Sequence, residues 1–314
     1  MQSGLISAFG SIRDASPGKA FLYLIFFIAI GLSLSSVLNL AFLIVVYGLS
    51  QAEIASMMGN PGETGNMRLL MISQLITSIG VFIAPAWLFI KLRFNRNVPS
   101  KIPATFVFKA LLISVVVILV QAPLINFTAL LNETLNVSFI SESLQQWMVQ
   151  TEADAKVLTE AFLKMDSLSD LLFALLVMAA IPAIGEELLF RAAILPLLLQ
   201  AGAGKHLAVW LTAFLFSFIH FQFFGFLPRF LLGALLGYLF IEGGSVIYPI
   251  MAHFANNALA VISSWPAFAG MDSPDWFSSF PSALVSAAFA AAGIFLLRRM
   301  KNRALKSAKF EFGG

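Results

Sequence analysis

Apolar residues in this chain come in long stretches rather than in short alternating runs. The first, FLYLIFFIAIGLSLSSVLNLAFLIVVYG, is apolar on every side of a helix. A helix of about 20 such residues crosses the hydrocarbon core of a bilayer. Read this way, the pattern predicts eight spans, near 21–48, 67–92, 104–131, 169–190, 206–224, 227–242, 245–264 and 281–298. The stretches lack the strict period-2 alternation of membrane β-strands, which argues against a barrel. The expected fold is all-α, a polytopic membrane bundle of about eight transmembrane helices. The chain divides into N-terminal transmembrane helices with an outer connection (1–168), a polar-bearing core (169–264), and a last helix with a basic tail (265–314).

Composition agrees with this reading. Of 314 residues, 59% are hydrophobic and 11% charged, where soluble domains carry about 25% charge. A net charge of +3 does not indicate nucleic acid, because the cations gather at the ends of apolar runs as topology signals do. Lys91, Arg93, Arg96, Lys101 and Lys109 lie in one connection, and Arg298, Arg299, Lys301, Arg303, Lys306 and Lys309 follow the last span. Acids lie in the alternate connections, at Glu53, Glu63, Asp272 and Asp275. Lys and Arg favour the cytoplasmic side, so both termini are expected there. There is no cysteine, which excludes disulfides, thiolate metal ligands and a cysteine nucleophile. The first 20 residues hold no short apolar core with a small-residue cleavage site, so the span from about Phe21 is expected to be an uncleaved anchor.

The longest connection, 132–168, carries Leu144, Trp147, Met148, Val157, Leu158, Phe162 and Leu163 at spacings that suggest an amphipathic helix on the outer surface. It is read as a connector packed on the bundle, with a lid or partner surface as the alternative. Asn136-Val137-Ser138 matches a glycosylation sequon, relevant only in a eukaryotic secretory compartment.

Charge inside a span is costly and usually faces a bundle interior or a wet cavity. The six aspartates all lie in connections or at span edges. Glu186, Glu187 and, at an edge, Glu242 fall within apolar segments, and Arg191, His220 and His253 join them. His206 follows Lys205 at a span start and reads as interfacial. Glu187 and Arg191 are four apart and share a helix face, so they can pair. Glu186 points about 100° away. His253 and Asn257 repeat the four-residue spacing on a second helix, and His220 stands one turn after Phe216 on a third. If a turn centres on Gly202, Glu186 and His220 come level in an antiparallel hairpin. His253 fits this count only if the Gly243-Gly244 turn sits deeper or Pro249 distorts its helix.

A carboxylate beside a neutral imidazole can deprotonate a water that the imidazole positions. A second imidazole and a carboxamide can donate hydrogen bonds to a developing oxyanion. Together these groups suit amide hydrolysis without a covalent intermediate. In the alternative mechanism Glu186, His220 and His253 bind zinc, which activates the water. There is no HExxH and no aspartate pair within the spans.

Glu186-Glu187-x-x-x-Arg191, Phe216-x-x-x-His220 and His253-x-x-x-Asn257 resemble, in order and spacing, the three motifs of the CPBP family of CAAX prenyl endopeptidases and bacteriocin-processing enzymes, also called the abortive-infection family. The resemblance covers about 170–262. It implies an intramembrane glutamate-dependent endopeptidase with Glu186 and His220 activating water and His253 and Asn257 holding the oxyanion. Glu187, Arg191 and Phe216 would support the site. No cofactor is obligatory in this reading, with zinc left as the alternative. The expected partners are a membrane-associated peptide or protein substrate, prenylated or a bacteriocin or leader peptide, and the lipid bilayer, with no nucleic acid. The expected location is a bacterial inner membrane. Two other readings compete, a proton-coupled transporter and a non-catalytic adaptor or immunity protein.

The charge pattern makes a direct prediction. Cysteines introduced singly at positions 96 and 301 of this cysteine-free chain should react with a membrane-impermeant maleimide only from the cytoplasmic side. Labelling from outside would reverse the topology.

Overall fold

The computed structural model describes residues 12–59, 67–94, 104–135, 137–268 and 274–311. Glu63, Arg96, Lys101, Asn136 and Asp272 lie outside the described residues. Among the described residues all regular structure is helical. The helices are α1 (Pro17–Val46), α2 (Gln51–Gly59), α3 (Met67–Phe94), α4 (Phe106–Glu133), α5 (Glu142–Phe162), α6 (Leu168–Gln200), α7 (Lys205–Phe218), α8 (Phe226–Gly243), α9 (Ile247–Ser263) and α10 (Phe280–Glu311).

Six helices among these residues are long and apolar enough to cross a membrane, not the eight that the apolar pattern suggests. They are α1, α3, α4, α6, Phe223–Gly243 and Phe280–Ala304. The expected spans 206–224 and 245–264 fall short. The apolar run of the first continues to Phe224, but its helix stops at Phe218. The helix of the second begins only at Ile247. With 14 and 17 residues at about 1.5 Å per residue, neither reaches the roughly 30 Å of a hydrocarbon core. Pro249 does not distort α9. It occupies the first turn, where a missing N–H leaves no hydrogen bond unmade. The 132–168 connection does form a helix, α5, that buries Met148 and Phe162 and exposes Trp147 and Val157.

The chain forms two compact units, each discontinuous in sequence. The first comprises Met1–Asn97 and Lys156–Lys205. In it α1 and α3 approach closely at two glycines. A Cβ on Gly31 would lie 1.9 Å from the Gly80 carbonyl oxygen. Contact through small residues is the usual device where lipid supplies no hydrophobic drive between helices. Gly185 brings α6 against α3 in the same way, since a Cβ there would meet Phe82 Cβ at 2.9 Å.

Prolines shape these helices. Pro85, Pro182 and Pro196 each follow a wide π-helical turn, at Ile79–Ile83, Leu175–Ala180 and Leu188–Ile194. A proline lacks an N–H, and its ring crowds the carbonyl four residues back. Widening the preceding turn relieves the clash without breaking the helix. At the start of α6, Ser167 and Asp170 form a reciprocal capping box, and Arg68 pairs with Asp170 at 2.6 Å.

The second unit comprises Val98–Ala155 and His206–Gly314. Its core joins α4, α8, α9 and α10 through residues such as Phe106, Leu236, Leu239, Tyr248 and Leu297. Gly233 and Gly237 face Ala213, Phe216 and Val209 of α7 in antiparallel register. α8 ends on Gly244 in the left-handed conformation (φ 81°). Cations of α10 meet that end: Lys301 donates to the Ile241 carbonyl at 2.8 Å, and Arg298 lies 3.7 Å from the buried carboxylate of Glu242. Positive charge is stabilising at a helix C-terminus.

The α1–α3 contact leaves no room for a side chain. Gly31→Val should force the helices apart and cost about 1–3 kcal/mol, the usual range for overpacking. It should lower the melting temperature of the purified protein. Gly18→Ala, where a Cβ meets nothing within 4 Å, should leave it nearly unchanged.

Candidate functional site

The candidate residues fall in both units. Glu186, Glu187 and Arg191 belong to the first, and Phe216, His220, His253 and Asn257 to the second.

In the first unit the two glutamates occupy the last turn of a short α-helical segment, Ile181–Glu187, between two π turns of α6. Arg191 Nη1 donates to Glu187 Oε1 at 2.9 Å, and both side chains are fully buried. The four-residue spacing thus produces the expected pair. Neither charge could be buried alone at tolerable cost, and the ion pair removes most of that penalty. Gly185 buries the neighbouring backbone against Phe82. Glu186, one position earlier, turns to another side of the helix and is only half-buried. Two adjacent carboxylates therefore occupy different environments, one locked in a buried pair and one nearer the surface of its unit.

In the second unit His220 lies just beyond the end of α7. Its Nδ1 is 2.8 Å from the Phe216 carbonyl oxygen. A carbonyl only accepts, so Nδ1 carries the proton; burial lowers the ring's pKa to about 4, which keeps it neutral with its lone pair on Nε2. The buried Phe216 ring meets both imidazoles edge-on, with centroids 5.3 Å from His220 and 5.8 Å from His253. Phe216 thus spaces the two histidines, and Gly233 makes room for it. His253 is buried in α9. One turn on, Asn257 Oδ1 accepts from Asn256 Nδ2 at 3.2 Å.

The loop after His220 has non-helical backbone, including a left-handed Phe221 (φ 52°), a region sparsely populated by residues other than glycine. Such backbone persists in an apolar setting only if its polar groups are met by protein. Asn132, at the end of α4, meets two of them. Its Nδ2 donates to the Phe223 carbonyl at 2.6 Å, and its Oδ1 accepts from the Leu227 N–H at 2.7 Å. Ser217 Oγ donates to the Phe226 carbonyl at 2.7 Å, and Glu152 accepts from the Phe224 N–H at 3.3 Å. Arg229 folds back over the loop, donating to the Gln222 side chain at 2.7 Å and to the Gln222 carbonyl. A Cβ on Gly225 would clash with that guanidinium. Arg229 is also near enough to His220 to act on its charge.

None of Asn132, Ser217, Gln222 or Arg229 stands out in the motif pattern. Arg229 carried a readable signal, a cation inside FLPRFLLGALLGYLF. Asn132 carried none, since its partners are more than 90 residues away. His206, read as interfacial, is exposed, with Nδ1 2.7 Å from the Tyr238 hydroxyl. Among the described residues no group of three or more His, Cys, Asp or Glu side chains is arranged to hold a metal ion. The zinc set considered above draws on both units.

Residues 168–259 match the family model for the type II CAAX prenyl endopeptidase Rce1-like domain, a stretch that contains every candidate residue. The chain carries a CAAX-protease-family domain of the CPBP type there, in a multi-pass membrane protein. No curated protein and no solved structure matches the chain.

Removing one member of the buried pair should be far worse than removing both. Arg191→Met leaves Glu187 buried and uncompensated, at a cost of about 3–5 kcal/mol. The double change Glu187→Leu with Arg191→Met should recover most of that loss. Thermal unfolding of the three proteins in one detergent measures the difference.

Proposed function

We propose that this protein is a glutamate-dependent intramembrane endopeptidase that hydrolyses a peptide bond in a membrane-associated peptide, either a prenylated CAAX-type peptide or a bacteriocin or leader peptide. The observation that carries the reading is the family-domain match, because it spans all three motifs. Further support comes from the neutral His220, whose protonated Nδ1 is engaged by Phe216.

In this mechanism the Glu186 carboxylate takes a proton from water, while Nε2 of His220 accepts a hydrogen bond from the same water and orients it. The oxygen attacks the scissile carbonyl carbon. The tetrahedral oxyanion accepts hydrogen bonds from His253 and from the Asn257 amide nitrogen. Glu186 then returns its proton to the leaving amine as the C–N bond breaks, regenerating the carboxylate. Glu187 takes no part in proton transfer, because its carboxylate is committed to Arg191 and fully buried. It serves to hold the helix that presents Glu186. If zinc is bound, Glu186, His220 and His253 would hold it, and the ion would supply Lewis-acid activation of the water. The proposed setting is a bacterial inner membrane with both termini cytoplasmic.

Cleavage in proteoliposomes tests the reading, with a library of membrane-anchored and prenylated peptides. Glu186→Gln should reduce the rate by about 10²–10⁴, the usual range for a general base. Asn257→Ala should reduce it by about 10²–10³ as a lost oxyanion donor. Activity should survive a strong zinc chelator. Full activity in Glu186→Gln would overturn the assignment. Loss with chelator, restored by zinc, would make Glu186 and the two histidines metal ligands. A chain that cleaves nothing in the library, and whose Glu186→Gln variant complements a deletion strain, would be an adaptor.

A further inference from the structure

The first unit contains a cavity of about 540 Å³ between the C-terminal part of α1 and the N-terminal part of α3. Its size falls within the range of small-molecule sites, about 300–1,000 Å³, and is many times the space a water occupies. α2 forms one wall. Ile54 and Met57 pack against Leu43 of α1 and Leu69 of α3 in a small buried cluster. Leu158 and Phe162, at the end of α5, form another. The outer rim is open, since Ser36, Leu40 and Gln74 are exposed.

The walls are apolar apart from a stripe formed by Ser36, Asn39, Ser73, Gln74 and Thr77. Asn39 Nδ2 donates to the Ser73 carbonyl at 3.3 Å and to Thr77 Oγ1 at 2.9 Å. The Ser73 carbonyl can only accept, so it fixes which end of the Asn39 amide faces α3. Asn39 Oδ1 is left buried with no hydrogen-bond partner, as is Ser73 Oγ. A buried acceptor without a partner costs roughly 1–3 kcal/mol, so Asn39 Oδ1 favours a ligand that brings a hydrogen-bond donor. None of the lining residues is charged. A phosphate or carboxylate there would set its oxygens against the Asn39 oxygen with no cation to offset it. The stripe lies along the second half of α1 and the first half of α3.

We propose that this cavity is a binding site for a neutral amphiphile, whose hydroxyl or amide hydrogen is donated to Asn39 Oδ1 and whose acyl chain lies against Leu40, Leu43 and Phe162. The site is built wholly within the first unit and is separate from the candidate catalytic residues, so its test does not depend on cleavage.

The full chain, purified in an amine-oxide detergent that has no hydrogen-bond donor, is titrated with 1-monooleoylglycerol, methyl oleate or oleate. Melting temperature and native mass spectrometry are the readouts. The glyceride should raise the melting temperature and be retained as a discrete adduct, whereas the ester and the anion should do neither. Asn39→Leu should weaken retention about tenfold, the equivalent of one to two hydrogen bonds. Ser36→Trp should abolish it by filling the rim. If Asn39→Leu does not fold, Ser73→Ala replaces it as the milder removal of a polar partner. Equal stabilisation by methyl oleate, undiminished retention in the variants, or no shift in the wild type would each overturn the proposal.

Discussion

A polar group inside an apolar layer must find its partner within the protein, because no solvent is there to supply one. Most of the unusual local structure in this chain follows from that requirement. Where Pro85, Pro182 and Pro196 remove backbone donors, the preceding turn widens and the helix continues. Where an arginine enters α6, it meets a glutamate one turn away, and both are buried to the last atom of accessible surface. Where α7 stops short, the exposed carbonyls and amides of the following loop are taken up by Asn132, Ser217, Glu152 and Arg229.

The same requirement separates the roles of neighbouring side chains. Glu187 is committed to Arg191 and contributes rigidity, while Glu186 is left half-buried at the side of the helix. The short α-helical segment Ile181–Glu187 that carries both glutamates has a π turn on each side. In the second unit a different device holds the imidazole. His220 is placed by a loop rather than by a helix, and the loop is fixed by side chains that hydrogen-bond its backbone. Phe216 does double duty there, since its carbonyl sets the tautomer of His220 and its ring spaces His220 from His253.

Several features were legible in the sequence because they depend on spacing along one helix. The Glu187–Arg191 pair needs only the 3.6-residue period. The amphipathic α5 needs only the recurrence of Met148 and Phe162 on one face, and the turn at Gly202 needs only a residue that accepts a positive φ, here 92°. Span count was misread for an equally specific reason. In LFSFIHFQFFGFL, residues 215–227, hydropathy runs on through 219–222 without registering that the backbone has left the helix. Hydropathy measures the cost of side chains in water, and a loop whose amides are satisfied by Asn132 looks as apolar as a helix.

The sequence by itself determined an all-helical, multi-pass membrane chain and the three ordered motifs of its family domain, since helix period and apolar length are local properties. It also determined that one of two adjacent carboxylates would be neutralised within its own helix. Only the tertiary structure decided which apolar runs become helices long enough to span, how the His220 loop is held, and that Gly31 meets Gly80. It alone opened a polar-striped cavity beside Asn39. Those features join residues from about 40 to more than 90 positions apart, and the packing that brings such residues together leaves no periodic trace along the chain.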